Sequence, residues 1–333
     1  MVRETAGLPW AWASALRVAA HQQGFLPTVQ LPHPAVSVGA LEMGGTGKTP
    51  VTLAVASALA AAGARPAILS RGYGRASDAP VLVSDGAGNK PLVSATEGGD
   101  EPWLMAHLLP EVPVAVASRR EQAADLVRNI DTFVMDDAFQ HVRVNRDTNV
   151  LVVDGAAPFW RQHTPPFGRL RERPAAAARA TVFAVYGDAS GLETRWPAIP
   201  RLTVGVRPPR FVLFEEWLAD GRNVGEPSPP GGSVAAFAGI ARPHRFFDGL
   251  KDTGAAIGHT RVFRDHHPYR TADIKQLLSD AEQQGCRNVV TTEKDAARLA
   301  ELAVPATRLH VMTHRVDLEP HADLLAICGV RQP

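Results

Sequence analysis

Apolar residues in this chain fall into short unbroken runs, separated by longer segments where they recur every three or four positions. The runs at 35–39, 66–69, 112–116, 132–135, 149–153 and 180–186 show little alternation with polar residues, the pattern of strands buried on both faces. Helical spacing follows at 51–62 and 119–127. Strand and helix taking turns predicts a parallel sheet covered on both sides, hence an α/β fold. At 201–206 and 211–214 two extended stretches flank Pro208-Pro209 and predict a β-hairpin, and the Gly/Pro/Ser-rich stretch 225–232 reads as a linker. Alternation then resumes, with strands at 234–238, 259–263, 287–291 and 307–313 and helices at 243–254 and 271–284. That is a second, smaller α/β unit.

Ahead of the first strand, Leu8, Trp12, Leu16 and Ala19 or Ala20 recur at helical spacing beside Trp10, with Arg3, Arg17 and His21 nearby. An amphipathic helix of this kind suits a membrane interface, and it equally suits packing on its own domain. It lacks the long apolar core and cleavage site of a signal peptide. No stretch is long and apolar enough to span a bilayer. Hydrophobic residues make up 45% and charged residues 21% of 333 positions, ordinary for a globular chain with room for two cores. A formal net charge of +1 gives no whole-chain signal for nucleic acid. Cys286 and Cys328 match no metal or redox spacing and fit a reducing compartment.

Chemistry enters at Met43-Gly44-Gly45-Thr46-Gly47-Lys48-Thr49-Pro50, which leaves a buried strand and opens an Ala/Leu-rich helix. Glycines let backbone N–H groups wrap a phosphate and the helix N-terminus adds positive potential. Lys48 reaches the outer phosphates, and the Thr49 hydroxyl is a Mg²⁺ ligand in such loops. The full phosphate-loop pattern has glycine where this chain has Glu42, a carboxylate that would repel a triphosphate unless it points away or meets a cation. Asp136-Asp137 ends the strand 132–135, the position from which such proteins hold Mg²⁺. Asp100, before Glu101-Pro102, reads either as a helix cap or as a functional acid. In Asp265-His266-His267 the two imidazoles point to different faces of an extended segment, so one histidine paired with a carboxylate across a cleft is the better functional reading. Aromatics and arginines interleave at 159–173 (Phe159, Trp160, Arg161, Phe167, Arg169, Arg171, Arg173), as suits anionic headgroups or a solvated basic loop.

In order along the chain stand Gly44-Gly45-Thr46-Gly47-Lys48-Thr49-Pro50, Ser70-Arg71-Gly72-Tyr73-Gly74, Gly99-Asp100-Glu101-Pro102 and Asp136-Asp137-Ala138-Phe139-Gln140-His141. Leu170-Arg171-Glu172, Ala238-Gly239-Ile240 with Pro243 and Arg245-Phe246-Phe247, the segment 263–269 and Thr292-Glu293-Lys294-Asp295 continue the set. With these the chain resembles the tetraacyldisaccharide 4′-kinases, the lipid A kinases of Gram-negative bacteria. The resemblance implies two α/β/α domains joined by a two-stranded linker. It divides the chain into an interfacial segment (1–30), a P-loop kinase domain (31–200), a β-hairpin linker (201–230) and a smaller α/β domain (231–333). It implies ATP and Mg²⁺ as cofactors and phosphorylation of the 4′-hydroxyl of an acylated disaccharide 1-phosphate. The setting it implies is peripheral, at the cytoplasmic face of the inner membrane, without nucleic acid or an obligate protein partner.

By the same resemblance Asp100 and His266 act together at the nucleophile, and Asp136 and Asp137 lie near Mg²⁺. Arg71, Tyr73, Arg120, Gln140, His141, Arg171 and Glu172 are candidates for the acceptor. Ala40, Glu42, Ala138 and Arg173 depart from the family's usual residues. Two rivals are a partitioning- or metallochaperone-type switch ATPase and a non-catalytic membrane adaptor. The first usually carries lysine where Met43 stands and has no use for the Asp-His segment. Intact Lys48, Asp100 and Asp136 argue against the second.

Overall fold

A computed structural model describes residues 8–222, 225–304 and 306–329, with side chains from residue 14 onward except Gln22 and Ala306. In the first part of the chain, helix α1 (Leu8–Gln22) precedes strand β1 (Ala35–Gly39), and helix α2 (Lys48–Ala61) leads to β2 (Pro66–Ser70) and β3 (Val81–Ser84). Helices α3 (Ala95–Gly98) and α4 (Asp100–Leu108), β4 (Val114–Val116), α5 (Arg120–Ala124), β5 (Thr132–Met135), β6 (Thr148–Asp154), β7 (Val182–Tyr186), α6 (Leu192–Arg195) and β8 (Arg201–Val206) follow. Together with the late strand β14 (Val316–Glu319) these form a nine-stranded sheet in the order β14-β8-β7-β6-β1-β5-β2-β4-β3. Its centre is parallel, and β1 between β5 and β6 is fully buried, as its unbroken apolar run requires. The strand order reverses around β1, which is where open α/β sheets bind ligands beyond their carboxyl ends.

The second part runs through β9 (Phe211–Leu213), α7 (Phe214–Ala219), β10 (Ser233–Ala238), α8 (Pro243–Asp252), β11 (Ala256–Val262), α9 (Thr271–Gln283), β12 (Asn288–Thr292), α10 (Glu293–Leu299) and β13 (Leu309–Met312). Its five-stranded sheet has the order β11-β10-β12-β13-β9. Helix α4, from the first part, adds Trp103, Leu104 and Leu108 to this unit's core beside Trp217 and Val311.

The expected hairpin is absent. β8 pairs parallel with β7 in the large sheet, whereas β9 pairs antiparallel with β13 in the small one. Pro208 and Pro209 explain this, because a tight hairpin turn needs positive φ, and proline is locked near −65° and keeps the chain extended. The connection is still two-stranded. The chain crosses from β8 to β9 and returns from β13 to β14, and the crossing segments are joined by Arg207 N–H to Arg315 O at 3.0 Å and Thr313 N–H to Arg210 O at 2.9 Å. The smaller unit therefore ends near Met312 and not at 333. β14 joins β8, and Leu324 and Leu325 of the last helix, α11 (His321–Ile327), pack into the large domain's core.

Helix α1 divides its faces. Val18 is buried and Arg17 donates to Gln140 O at 3.0 Å, while Leu16 stays exposed, as do Phe25 and Leu26 in the turn that follows the helix. Arg3 lies outside the described residues, as do the side chains of Leu8, Trp10 and Trp12. Among the described residues no helix is long and apolar enough to cross a membrane.

Candidate active site

The phosphate loop has the backbone its glycines permit. Gly44, Gly45 and Gly47 all have positive φ, and Gly47 caps α2 in the left-handed region. Met43 N–H bonds Arg169 O at 2.8 Å, and the Tyr186 hydroxyl donates to Gly47 O at 3.0 Å, so both ends of the loop are tied to neighbouring segments. Lys48 Nζ lies 3.5 Å from Thr46 Oγ1 and 3.6 Å from Asp137 Oδ1. Thr46 and Thr49 are buried in the loop and first helical turn, with Pro50 following them. Glu42 is turned into the protein interior. It is fully buried, and its Oε1 accepts from Gln162 Nε2 at 3.3 Å. Burial pushes its carboxyl up to about 7, so its charge is suppressed below neutral pH.

Behind Lys48 stands an acidic group of three. Asp136 is buried, with Oδ1 accepting from the Thr52 hydroxyl at 3.0 Å and Oδ2 from the Ser70 hydroxyl at 3.1 Å. Burial, then the like charges of Glu101 and Asp137, push its carboxyl up to about 6. Asp137 has φ of 44° and is gripped bidentately by Arg171 at 2.7 and 2.8 Å. Burial opposes its ionisation, but Lys48 and Arg171 outweigh that and hold it below the usual carboxylate range. Glu101 pairs with Lys294 from the smaller domain. A buried carboxyl raised by like charges is one that a bound cation would relieve. The donors available (the Thr49 hydroxyl, Asp136 and the phosphates of a nucleotide) are hard oxygens, as Mg²⁺ requires. Asp137, held by Arg171, is the less available carboxylate.

The third element spans the domains. His266, on the loop after β11 with φ of 56°, places Nδ1 3.0 Å from Asp100 Oδ2. Arg298 of α10 donates Nε to the same oxygen at 2.6 Å. Arg298 is itself fixed by Gly239 O at 2.8 Å and Asp295 Oδ1 at 3.0 Å. Asp100 is thus no helix cap: it is the first residue of α4, Gly99 precedes it at φ of 91°, and its carboxylate faces the other domain. A Cβ on Gly99 would meet Gly72 Cα at 3.0 Å, so the two glycine turns pack backbone on backbone. That packing brings Tyr73 to the mouth, exposed, with its ring 5.5 Å from that of His266. Burial works against Asp100, but His266 and Arg298 together hold it below the usual range; its hydrogen bond in turn raises His266. His267 turns away to Asp273 at 3.2 Å and stacks on Phe263.

The remaining sequence candidates separate. Arg120 is buried and donates to Asp136 O at 3.0 Å, and burial, with Arg71 among the like charges nearby, brings it down to about 10. Gln140 donates to Ala40 O at 3.0 Å and accepts from Arg171 at 3.2 Å. Burial pushes His141 down to about 4, which leaves it neutral. Arg71 is exposed. Glu172 is buried against Arg179 at 2.8 Å and is not brought to the cleft; it braces its own segment. In the 159–173 stretch Phe159 is fully buried among Trp160, Trp196 and Phe183 and Arg171 is half-buried on Asp137, leaving Phe167, Arg161, Arg169 and Arg173 exposed. Sequence reasoning missed Glu101, Lys294 and Arg298. Thr292-Glu293-Lys294-Asp295 held a signal, for it opens the helix that supplies Lys294 and Arg298.

Comparison with known proteins gives the family. The family model described as tetraacyldisaccharide-1-P 4′-kinase matches residues 4–328. A tetraacyldisaccharide 4′-kinase of Anaeromyxobacter sp. (strain K) is 42% identical over 95% of this chain and 86% of its own length. One from Geobacter metallireducens is 37% identical over 88% and 86%. The solved structure of LpxK from Aquifex aeolicus in complex with ATP superimposes with a TM-score of 0.74 at 27% identity, covering 99% of each chain. The chain belongs to the tetraacyldisaccharide 4′-kinase family.

Proposed function

We propose that the chain transfers the γ-phosphoryl group of ATP to the 4′-hydroxyl of a tetraacylated disaccharide 1-phosphate, with Asp100 and His266 at the acceptor hydroxyl. The observation that carries this reading is the meeting of two halves in one cleft. Glu101, next to Asp100, lies close enough to Lys48 and Asp137 to feel both charges. A nucleotide switch has no need of a carboxylate–imidazole pair there.

Lys48 and the loop N–H groups offset charge on the transferring phosphoryl group, and Asp100 positions the hydroxyl in line with it. Thr49 and Asp136 are the residues that would hold Mg²⁺. Bound with ATP, the ion would neutralise phosphate charge. Asp100, clamped by Arg298, is a weak base, so it chiefly orients the hydroxyl and takes its proton only late, as the bond to phosphorus forms in the loose transition state. A second reading follows from the opposite pKa directions: His266, raised by Asp100, is the stronger base and ends with the proton. Arg71 and Tyr73 at the mouth suit a sugar phosphate. The exposed Leu16, Phe25 and Leu26 suit a lipid surface, which we place at the inner face of the inner membrane.

The test is incubation with labelled ATP and tetraacyldisaccharide 1-phosphate in mixed micelles, with products resolved by mass. One added phosphate at the 4′ position is expected; ATP hydrolysis with unchanged lipid would favour the switch reading instead. Leu16→Glu should lower co-sedimentation with anionic vesicles several-fold while leaving ATP binding unchanged, and unaltered sedimentation would remove α1 from the membrane contact.

A further inference from the structure

The smaller domain touches the phosphate loop at a point that none of the roles above uses. Segment Ala241-Arg242, between β10 and α8, lies directly over the paired glycines. A Cβ on Gly45 would fall 2.9 Å from both Cγ and Cδ of Arg242, and one on Gly44 would fall 3.3 Å from the Ala241 Cβ. Only glycine lets the two domains approach this closely. The Arg242 guanidinium donates Nη1 to Asp154 Oδ2 at 2.9 Å, and Arg245 donates Nη2 to the same oxygen at 2.5 Å. Asp154 ends β6, the strand beside β1, so its carboxylate stands next to the loop. Asp154 and Arg242 are nearly buried, with side chains 6% and 12% exposed, whereas Arg245 is 44% exposed.

Two cations on one carboxylate oxygen leave a net positive charge beside an anion site. A triphosphate carries more charge than a carboxylate and offers several oxygens, so it is the stronger acceptor for a planar guanidinium. The two arginines also differ in placement. Arg245 sits in the first turn of α8, half exposed, and Arg242 lies with its stem along the loop.

We propose that Arg242 is a nucleotide-positioning residue delivered by the smaller domain: Asp154 holds it in readiness, and it transfers to the phosphates of ATP when the loop is occupied, while Arg245 stays on Asp154 as the tether. The idea rests on nucleotide binding at the loop. It gives that binding a consequence, since a phosphate that draws in Arg242 also holds closed the domain that carries His266 and Arg298 against Asp100.

The discriminating feature is a difference of sign. Arg242→Gln, which keeps a polar stem over Gly45 and loses the charge, should weaken binding of a methylanthraniloyl-ATP probe about tenfold, the scale of one charge-assisted contact. Asp154→Asn should do the reverse and tighten binding several-fold, because the arginine no longer has to leave a carboxylate. Arg245→Gln should weaken it modestly, because Asp154 then keeps Arg242 to itself. Thermal melts of the same samples register folding separately, and Arg242→Lys should recover only part of the loss.

If Asp154→Asn and Arg242→Gln both weaken binding, the contact is a structural brace and the proposal is overturned. The same follows if Arg242→Gln leaves affinity unchanged. Failure of the underlying functional reading looks different, for then the wild-type protein fails to bind the probe, or Lys48→Ala binds it equally well.

Discussion

The two sides of the cleft are built on opposite plans. The phosphate-loop side is local: strand, loop and helix are consecutive, the glycines are preset, and Lys48 lies one residue past the turn that positions it. The acceptor side is assembled from afar. Asp100 and His266 are 166 positions apart, and Arg298, which fixes Asp100, is 198 positions away. The phosphate loop can therefore form from one domain alone, while the groups that we place at the acceptor hydroxyl meet only when the smaller domain is seated. In a kinase this difference serves chemistry, because a phosphoryl group exposed before the acceptor is in place is open to water.

The largest expected effect breaks the local side. Lys48→Ala removes a cation aimed at the transferring phosphate and should lower kcat by 10³-fold or more, about 4 kcal/mol, on the scale of an oxyanion-type donor. Its burial beside Thr46 and Asp137 makes replacement by another surface cation ineffective. Near-normal turnover in this variant would remove the phosphate loop from the chemistry.

The next effect tests the assembled side. Asp100→Ala and His266→Ala should each reduce kcat by about 10²-fold to 10³-fold and leave ATP affinity within a few fold. If they act as one unit, the double variant should be little worse than the poorer single. The pH profile then assigns the proton. His266 is raised above 6.5 and Asp100 is lowered below 3.8. If His266 is the base, the free base is lost as pH falls through its raised value, and an acid limb appears above pH 6.5. If Asp100 is the base, it stays ionised across that range and no such limb is seen. A limb that survives His266→Asn would belong to another group.

The two sides also differed in how far the sequence disclosed them. Strands at 35–39, 66–69 and 132–135 were legible because burial on both faces writes an unbroken apolar run, and the loop because its residue types follow each other. A histidine paired with some carboxylate across a cleft was legible from the Asp265-His266-His267 segment, but that the carboxylate is Asp100 was legible only through resemblance, since nothing in their own neighbourhoods says that they face each other. β14 and α11 were missed because a chain that returns to its first domain leaves no local mark. Pro208-Pro209 misled for a related reason: it shows that the chain stays extended, not which sheet each half joins. Phe159 looked like surface chemistry by composition and Glu172 was carried over by resemblance, and tertiary packing buried both.

The smallest effect concerns Glu42, the residue on the local side that departs from the phosphate-loop pattern. Its burial raises its carboxyl from an ordinary 4.5 to about 7, and Oε2 is buried without a hydrogen-bond partner among the described residues. The group is therefore tolerated as a neutral acid and resisted as an anion. Below pH 4.5 it is protonated both folded and unfolded and has no effect. As pH rises past 4.5 the unfolded chain releases the proton first, and the folded state loses relative stability until pH passes 7. Beyond that the penalty is constant, at most about 3 kcal/mol by linkage. Glu42→Gln, which keeps the shape and cannot ionise, should therefore leave the melting temperature nearly unchanged at pH 5 and raise it by several degrees at pH 8.5. An equal shift at both values would mean that the loop responds to the amide itself and not to a charge. A loss of stability at both would show that a proton on Glu42 makes a bond that the amide does not replace.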